Sequence, residues 1–211
     1  KTFNSDGTIV ETSRTTGVSD ALLSLVSMTT SADGLTTTTS DQSALVPAAT
    51  RTTVRSLRER ADGSQVETAT VRDGSNAIIE TITAETSFDK RLLVTKRDQN
   101  GDGTVDQIEE TQRMIDGREA TTITNFRTSG AVSSKSVDTV SADRLTRIIE
   151  IDKNGDGVFD TKKTLKSYLY ADGSKEVTTT ELELANGKTR STSKSMTSAD
   201  GRRFLEETDV D

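Results

Sequence analysis

The sequence predicts an all-β protein, an array of repeats of about 56 residues with four antiparallel strands in each repeat. Three observations support this prediction. Landmarks recur at a nearly fixed spacing, Thr, Val and Ile recur in alternating runs, and Asp-Gly turns separate those runs. Alternation with a period of two is typical of a strand, and short turns join consecutive strands into antiparallel pairs.

Three landmarks define the repeat. A Ser-x-Asp step recurs after 56, 54 and 57 residues, an Asp-Gly turn after 56, 54 and 56, and a glycine after 57, 56 and 57. They begin at Ser31, Ser87, Ser141 and Ser198; at Asp6, Asp62, Asp116 and Asp172; and at Gly17, Gly74, Gly130 and Gly187. We therefore predict one array over residues 1–211, with approximate repeats 1–30 (partial), 31–86, 87–140, 141–197 and 198–211 (partial).

The segments between landmarks alternate as half-buried strands do. The odd-numbered residues of 145–151 fall on one face, and those of 159–169 do the same. Val66, Thr68 and Thr70 share a face in the same way. Each repeat is therefore expected to hold four strands and four turns.

Four strands per repeat fit two architectures. One is a linear array, built as an elongated sheet or a solenoid, in which each repeat contacts mainly its neighbours. The other is a four-bladed β-propeller, since blades also have four strands. Propeller blades pack face to face and need bulky apolar residues on both faces. Here the second face is mostly Thr, Lys, Glu and Ser, which favours the array.

Two nine-residue segments, Asp98–Asp106 and Asp152–Asp160, have the pattern of a Ca²⁺ loop. Side-chain oxygens stand at positions 1, 3, 5 and 9, glycine stands at position 6, and the position 7 carbonyl adds another oxygen. Three carboxylates in one loop would repel one another without a cation. The predicted ligands are Asp98, Asn100, Asp102, Thr104, Asp106, Glu109, Asp152, Asn154, Asp156, Val158 and Asp160.

Two rival interpretations of these loops remain. Asn-Gly and Asp-Gly are also strong hairpin-turn signals, although a bare turn needs neither the first nor the last aspartate. Residues 98–109 also fit an EF-hand loop, with Glu109 at position 12 and a short helix over 107–114. The second loop has Lys163 at position 12, which cannot bind a cation, so the EF-hand is the weaker alternative.

A third copy of the loop is degenerate. The segment Asp41–Pro47 lacks the glycines and the later aspartates, so we expect no strong calcium site there. Pro47 cannot donate to a strand ladder, which predicts an irregular connection or an edge. The segment Asp209–Asp211 aligns with the start of a further loop, and we expect the protein to continue beyond it.

Composition narrows the possible functions. Of 211 residues, 30% are hydrophobic and 3% aromatic, which predicts a thin sheet rather than a thick core. The net charge of −7 argues against nucleic acid, whose phosphates attract basic surfaces. The sequence has no Cys and no His, which excludes disulfides and the commonest catalytic base. No apolar run approaches the ~20 residues of a membrane span, so no membrane insertion is expected.

The two loops resemble the calcium loops of secreted bacterial repeat proteins. The segments Ser31–Thr39 and Ala171–Ser174 resemble units of very long RTX-associated surface proteins. The resemblance implies export from a Gram-negative cell, a secreted or cell-surface location, and an adhesive or scaffold role. The RTX nonapeptide, Gly-Gly-x-Gly-x-Asp-x-apolar-x, is absent from this sequence, so the β-roll built by that nonapeptide is not implied.

Together these observations predict a non-enzymatic, calcium-stiffened module with a structural or adhesive role in a large extracellular bacterial protein. Its partners would be calcium and copies of itself or neighbouring repeats, assembled into a filament or a surface layer. The alternative is a lectin-like propeller that binds a ligand, for which only seven aromatic residues are available. Adjacent carboxylates such as Glu109 and Glu110 point to opposite faces of a strand, so no acid–base pair is expected.

Overall fold

The computed structural model describes residues 1–43 and 50–210. Within these ranges the regular structure is β-strand, apart from one short 3₁₀ turn over Val18–Asp20. The predicted all-β class is therefore confirmed. The chain divides into two compact units, residues 1–107 and residues 108–211. No described residue belongs to a helix long and apolar enough to cross a membrane.

The first unit is an open antiparallel sheet in which the strands follow one another in chain order. Each strand pairs antiparallel with the next one along the chain. The strands are β1 (Thr2–Phe3), β2 (Ile9–Thr16), β3 (Leu22–Thr30), β4 (Thr36–Ser43), β5 (Arg51–Glu59), β6 (Gln65–Arg72), β7 (Ile78–Thr86) and β8 (Leu92–Asp98).

The second unit repeats this arrangement, again as an open sheet of antiparallel hairpins in chain order. Its first strand begins at Gln107, at the boundary of the two units. The strands are β9 (Gln107–Arg113), β10 (Glu119–Phe126), β11 (Val132–Val140), β12 (Thr146–Asp152), β13 (Thr161–Leu169), β14 (Lys175–Glu183), β15 (Lys188–Thr197) and β16 (Phe204–Val210).

Hydrogen-bonded ladders run across the repeat boundaries. The boundary after residue 30 falls between β3 and β4, which pair from Ser24↔Ser43 to Thr30↔Thr37. The boundary after residue 140 falls between β11 and β12, which are likewise paired. A propeller would instead end one blade at each boundary and pack the next blade against its face. Each unit is therefore an array of four-stranded repeats in an open sheet, and the propeller alternative is not its fold.

The strand register confirms the faces predicted from alternation. In the β12–β13 ladder, Arg147 pairs with Leu165, Ile149 with Lys163, and Ile151 with Thr161. Directly paired residues share one face of an antiparallel sheet, so the odd-numbered residues of both strands lie together. Apolar and charged side chains alternate across this face instead of forming an apolar layer.

Within each unit, the described residues form no second layer over the sheet. Among the described residues, Ala69 is the only apolar residue that is fully buried. The thin sheet predicted from composition is therefore found, and strand ladders and turns carry much of the stability that a core would otherwise supply.

The recurring turns hold one another in register. Ser87 donates its hydroxyl hydrogen to Asp89 at 2.7 Å and accepts the Leu92 N–H at 3.0 Å, which closes the Ser-x-Asp turn. The glycine of the preceding Asp-Gly turn faces the middle residue of that step. A Cβ built on each glycine would meet Ala32, Phe88, Ala142 or Ala199, from Gly7, Gly63, Gly117 and Gly173 respectively. These contacts are consistent with the nearly constant separation of the two landmarks, which is 25, 25, 25 and 26 residues from the aspartate of the turn to the serine of the step.

Candidate metal centre

The two predicted cation loops connect consecutive strands at equivalent places in the repeat. The first aspartate of each loop is the last residue of the preceding strand, Asp98 in β8 and Asp152 in β12. Both carboxylates are buried, with 8% of Asp98 and 2% of Asp152 exposed. They are the most deeply placed acidic groups of the loops, because the sheet and the loop backbone enclose them together.

Backbone donors of the loop surround the carboxylate of Asp152. Its Oδ1 accepts the N–H of Gly155 at 2.7 Å and that of Asn154 at 3.2 Å. Its Oδ2 accepts the N–H of Gly157 at 2.9 Å. Asp98 likewise accepts the N–H of Gly101 at 2.7 Å, that of Asn100 at 3.3 Å and that of Gly103 at 2.9 Å. Such bonds to a charged acceptor are stronger than neutral ones, so the first aspartate sets the loop conformation.

The other predicted ligands also accept backbone hydrogen bonds. In the first loop, Asn100 accepts the N–H of Asp102 at 2.8 Å, and Asp102 accepts that of Thr104 at 2.8 Å. Asp106 accepts the N–H of Gln99 at 2.7 Å. The second loop repeats these three bonds at 2.9, 2.8 and 2.7 Å, with Asn154, Asp156 and Asp160 as acceptors and Val158 as the donor at position 7.

These bonds change the interpretation of the first and last aspartates. The turn alternative had no use for either residue, but both have partners in the loop backbone. Across residues 1–43 and 50–210, no three acidic side chains converge where a metal ion would fit. Nor does any ion pair found in these ranges include a loop aspartate. The loop side chains offer oxygen atoms, which are the ligands that Ca²⁺ prefers. In this structure, however, the carboxylate oxygens accept hydrogen bonds from N–H groups of the loop.

Glu109 does not belong to an EF-hand. Residues 107–113 form strand β9 rather than the helix of that alternative, so the EF-hand interpretation is wrong. Lys163 likewise lies in a strand, β13.

Each loop contacts the first residue of the strand that precedes its own hairpin. The loop pattern used to predict a calcium site does not predict this contact. A Cβ at Gly101 would lie 2.1 Å from the carbonyl oxygen of Ile78, and one at Gly155 would lie 2.3 Å from that of Val132. Only a residue without a side chain fits so close to a backbone carbonyl. Glycine at position 4 of both loops is the one sequence signal that points to this contact.

In the degenerate copy, only residues 41–43 lie within the described part of the chain. Asp41 is exposed and lies in β4, where it pairs with Arg51. Pro47 and the rest of residues 44–49 lie outside the described residues, as does Asp211 at the predicted start of a further loop.

Several loop and turn carboxyl groups are held in their ionised form. For Asp152, burial raises the pKa, but the N–H groups of Gly157, Gly155 and Asn154 together bring it below its ordinary value. The hydroxyl and the N–H of Thr104 lower the pKa of Asp102. Both groups therefore contribute stability only while they are deprotonated.

Acidification is expected to destabilise the protein through these groups. A carboxyl group with a lowered folded-state pKa stabilises the fold above the ordinary value of 3.8, and that contribution is lost as the pH falls through the folded-state pKa. We expect the melting temperature to fall steeply from about pH 5 to about pH 2. Circular dichroism melting curves would test this. The Asp152→Asn variant should show a shallower dependence, and identical slopes would contradict the assignment.

Comparison of the chain with protein-family models gives no match, and comparison with curated proteins gives no significant match.

Proposed function

We propose that this chain is a calcium-stiffened structural repeat module of a large extracellular bacterial protein. One observation carries the proposal. Two buried aspartates, Asp98 and Asp152, stand at the same place in consecutive repeats of a sheet with almost no apolar interior. A buried charge is costly to retain, and oxygen-rich loops around it suit a hard divalent cation. The proposal assigns the chain no catalytic activity.

A cation bound in either loop would restrain several strands at once. The N–H of Asp160 donates to the carbonyl of Ile151 at 2.8 Å, which joins the two ends of the second loop. Gly155 of the same loop lies against Val132, the first residue of β11. A ligand that rigidifies this loop therefore restrains β11, β12 and β13 together. Bound calcium would supply the charge neutralisation, and the chain would supply the loop that receives it.

This arrangement suits a protein that works outside the cell. Extracellular modules bind calcium at about 10⁻⁴ to 10⁻³ M, a concentration that the cytosol does not reach. Binding to the folded state alone stabilises that state, so export would couple to stiffening. The role we propose is that of a spacer or scaffold, adhesive or assembled with further copies.

Calcium is expected to raise the melting temperature of the chelated protein. At 100 times Kd, one site adds ~2.7 kcal/mol. For a unit of this size that corresponds to a shift of about 10 °C or more. Melting curves in EGTA and in millimolar Ca²⁺ would measure it, and superimposed curves would contradict the proposal.

Two variants make the test specific to the loops. Asp156→Ala removes the carboxylate at position 5 of a complete loop, whereas Asp41→Ala removes an exposed carboxylate from β4. Calorimetric titration should show weaker calcium binding in the first variant and unchanged binding in the second. Equal effects would mean that the loops are not the binding sites.

A further inference from the structure

Asparagine is followed directly by glycine at three places in the sequence. Two of these pairs lie in the loops 98–106 and 152–160, and the third lies in the turn between β14 and β15. Asparagine is a thermolabile residue, and a following glycine leaves its side chain open to attack by the backbone because glycine carries no Cβ. The pairs are Asn100-Gly101, Asn154-Gly155 and Asn186-Gly187.

The amide of such an asparagine is lost through the backbone. The nitrogen of the glycine attacks Cγ of the asparagine, its proton leaves with the departing Nδ2 group as ammonia, and a succinimide ring remains. Water then opens the ring at one of its two carbonyls, which gives aspartate or isoaspartate. Ring closure requires that the glycine N–H leave its hydrogen-bond acceptor and that the backbone rotate at the asparagine. The contacts of each glycine therefore control the rate.

The two loop pairs are protected by such contacts. The N–H of Gly101 and that of Gly155 each donate to the first aspartate of their own loop at 2.7 Å, and both carboxylates are buried. Hydrogen bonds to an ionised acceptor are about twice as strong as neutral ones. A Cβ at either glycine would lie 2.1 or 2.3 Å from a carbonyl oxygen of a neighbouring strand, so the loop backbone has little room to rotate.

The third pair lies in an exposed turn over residues 184–187. The N–H of Gly187 donates to the neutral carbonyl of Glu183 at 2.9 Å, and a Cβ at Gly187 would have no atom within 4 Å. The side chain of Asn186 makes two bonds, from Nδ2 to Oε2 of Glu183 at 2.9 Å and from the N–H of Lys188 to Oδ1 at 2.8 Å. Solvent can replace each of these exposed bonds, so the turn opens locally at a small cost.

We infer that Asn186 is a site of spontaneous deamidation in the folded protein and that the loops protect Asn100 and Asn154 from the same reaction. The inference does not rest on the proposed function, because neither the reaction nor the protection involves a cation. The contacts that fix the conformation of each loop thus also preserve the amide at its position 3.

Deamidation would change the contacts of the turn. The amide of Asn186 donates to Glu183, and a carboxylate in its place would repel that side chain. Isoaspartate would also add one carbon to the main chain of the turn. The N–H of Leu184, in the same turn, donates to the carbonyl of Asp160 at 2.8 Å, and Asp160 is the last residue of the second loop. The modification therefore weakens the end of the β14–β15 hairpin beside that loop.

Incubation of the full chain in mildly alkaline buffer with EGTA tests the inference, with peptide mass spectrometry to measure deamidation at each asparagine. We expect Asn186 to react at least about tenfold faster than Asn100 or Asn154, because a charged acceptor releases an N–H less readily than a neutral carbonyl does. In concentrated urea, where the loops are unfolded, the three rates should converge.

Two glycine variants show whether the reaction at Asn186 follows the proposed route. Gly187→Ala should slow it strongly, because a Cβ hinders attack by the backbone nitrogen. Gly130→Ala is the matched control and should leave the rate unchanged. Gly130 has a φ of +80° and no atom within 4 Å of an added Cβ, as at Gly187, but it follows Ser129 rather than an asparagine.

Asp152→Asn tests the protection of the second loop. It retains an acceptor for the N–H of Gly155 but removes the charge, so the rate at Asn154 should rise several-fold. A rise at Asn154 alone, or at Asn100 as well where the variant unfolds, supports protection by the loops, and no rise contradicts it.

Three results with the unmodified chain and its glycine variants would overturn the inference. One is equal deamidation of the three asparagines in the folded chain. Another is a difference that persists in urea, since it would come from neighbouring residues in the sequence rather than from the fold. The third is an unchanged rate at Asn186 in Gly187→Ala.

Discussion

Replacing Gly155 with alanine is expected to lower the melting temperature by about 10 °C, even in chelator. The new Cβ would lie 2.3 Å from the carbonyl oxygen of Val132 and 2.7 Å from its carbon, so backbone must move. The residue also has a φ of +77°, where an L side chain is strained. Overpacking and left-handed strain together cost about 2 to 4 kcal/mol.

Substitution of Gly157 in the same loop distinguishes the cost of overpacking from the cost of left-handed backbone strain. Its φ is +87°, but a Cβ there would have no atom within 4 Å. Gly157→Ala should therefore cost only the backbone strain, about 1 to 2 kcal/mol. Thermal unfolding of both variants in EGTA gives the comparison. If the two variants were equally destabilised, the contact between the loop and Val132 would not be a stabilising one.

Asp152→Ala is expected to cause the second large loss of stability, again without calcium. The substitution removes a carboxylate that is 98% shielded from water, and the N–H groups of Asn154, Gly155 and Gly157 lose their acceptor. Loss of three hydrogen bonds to one buried charged acceptor is among the costlier single changes in a protein. A fall in the melting temperature on the order of 10 °C is expected in EGTA.

The control for this prediction is Asp156→Ala in the same loop. Asp156 is also an acceptor, for the N–H of Val158 at 2.8 Å, but it is exposed to solvent, which can replace the lost bond. In EGTA this variant should melt within a few degrees of the unmodified chain. If it were as unstable as Asp152→Ala, burial of the first aspartate would not explain its importance.

The fold could be predicted because its determinants are local. The Asp-Gly and Ser-x-Asp turns, such as that from Ser87 to Leu92, close through bonds within a few residues. Their spacing therefore marks many of the hairpins within the described residues. The alternation in 145–151 and 161–169 then assigns the faces. Neither the turns nor the strand faces depend on residues far away in the sequence. The sequence could therefore predict an open array rather than a propeller.

The site was less accessible to sequence analysis. Residue types at positions 1, 3, 5 and 9 indicate oxygens, but they do not reveal whether an oxygen faces a cation or a backbone N–H. Asp98 and Asp106 each satisfy loop donors, a role that the pattern alone does not distinguish from metal binding. The contact of Gly155 with Val132 depends on where β11, a strand outside the loop's own hairpin, lies relative to the loop.

The near absence of an interior has a consequence for how such a chain is made and how it changes. Within each unit a strand finds its hydrogen-bonding partners in the strands directly before and after it. Loop-closure entropy therefore stays small at every step, and folding is expected to proceed hairpin by hairpin at a speed that does not depend on how many hairpins follow. A gene duplication that inserted one more repeat would place its strands between partners of the kind they already have. Such a protein can therefore gain or lose repeats during evolution without compensating changes in a common hydrophobic core.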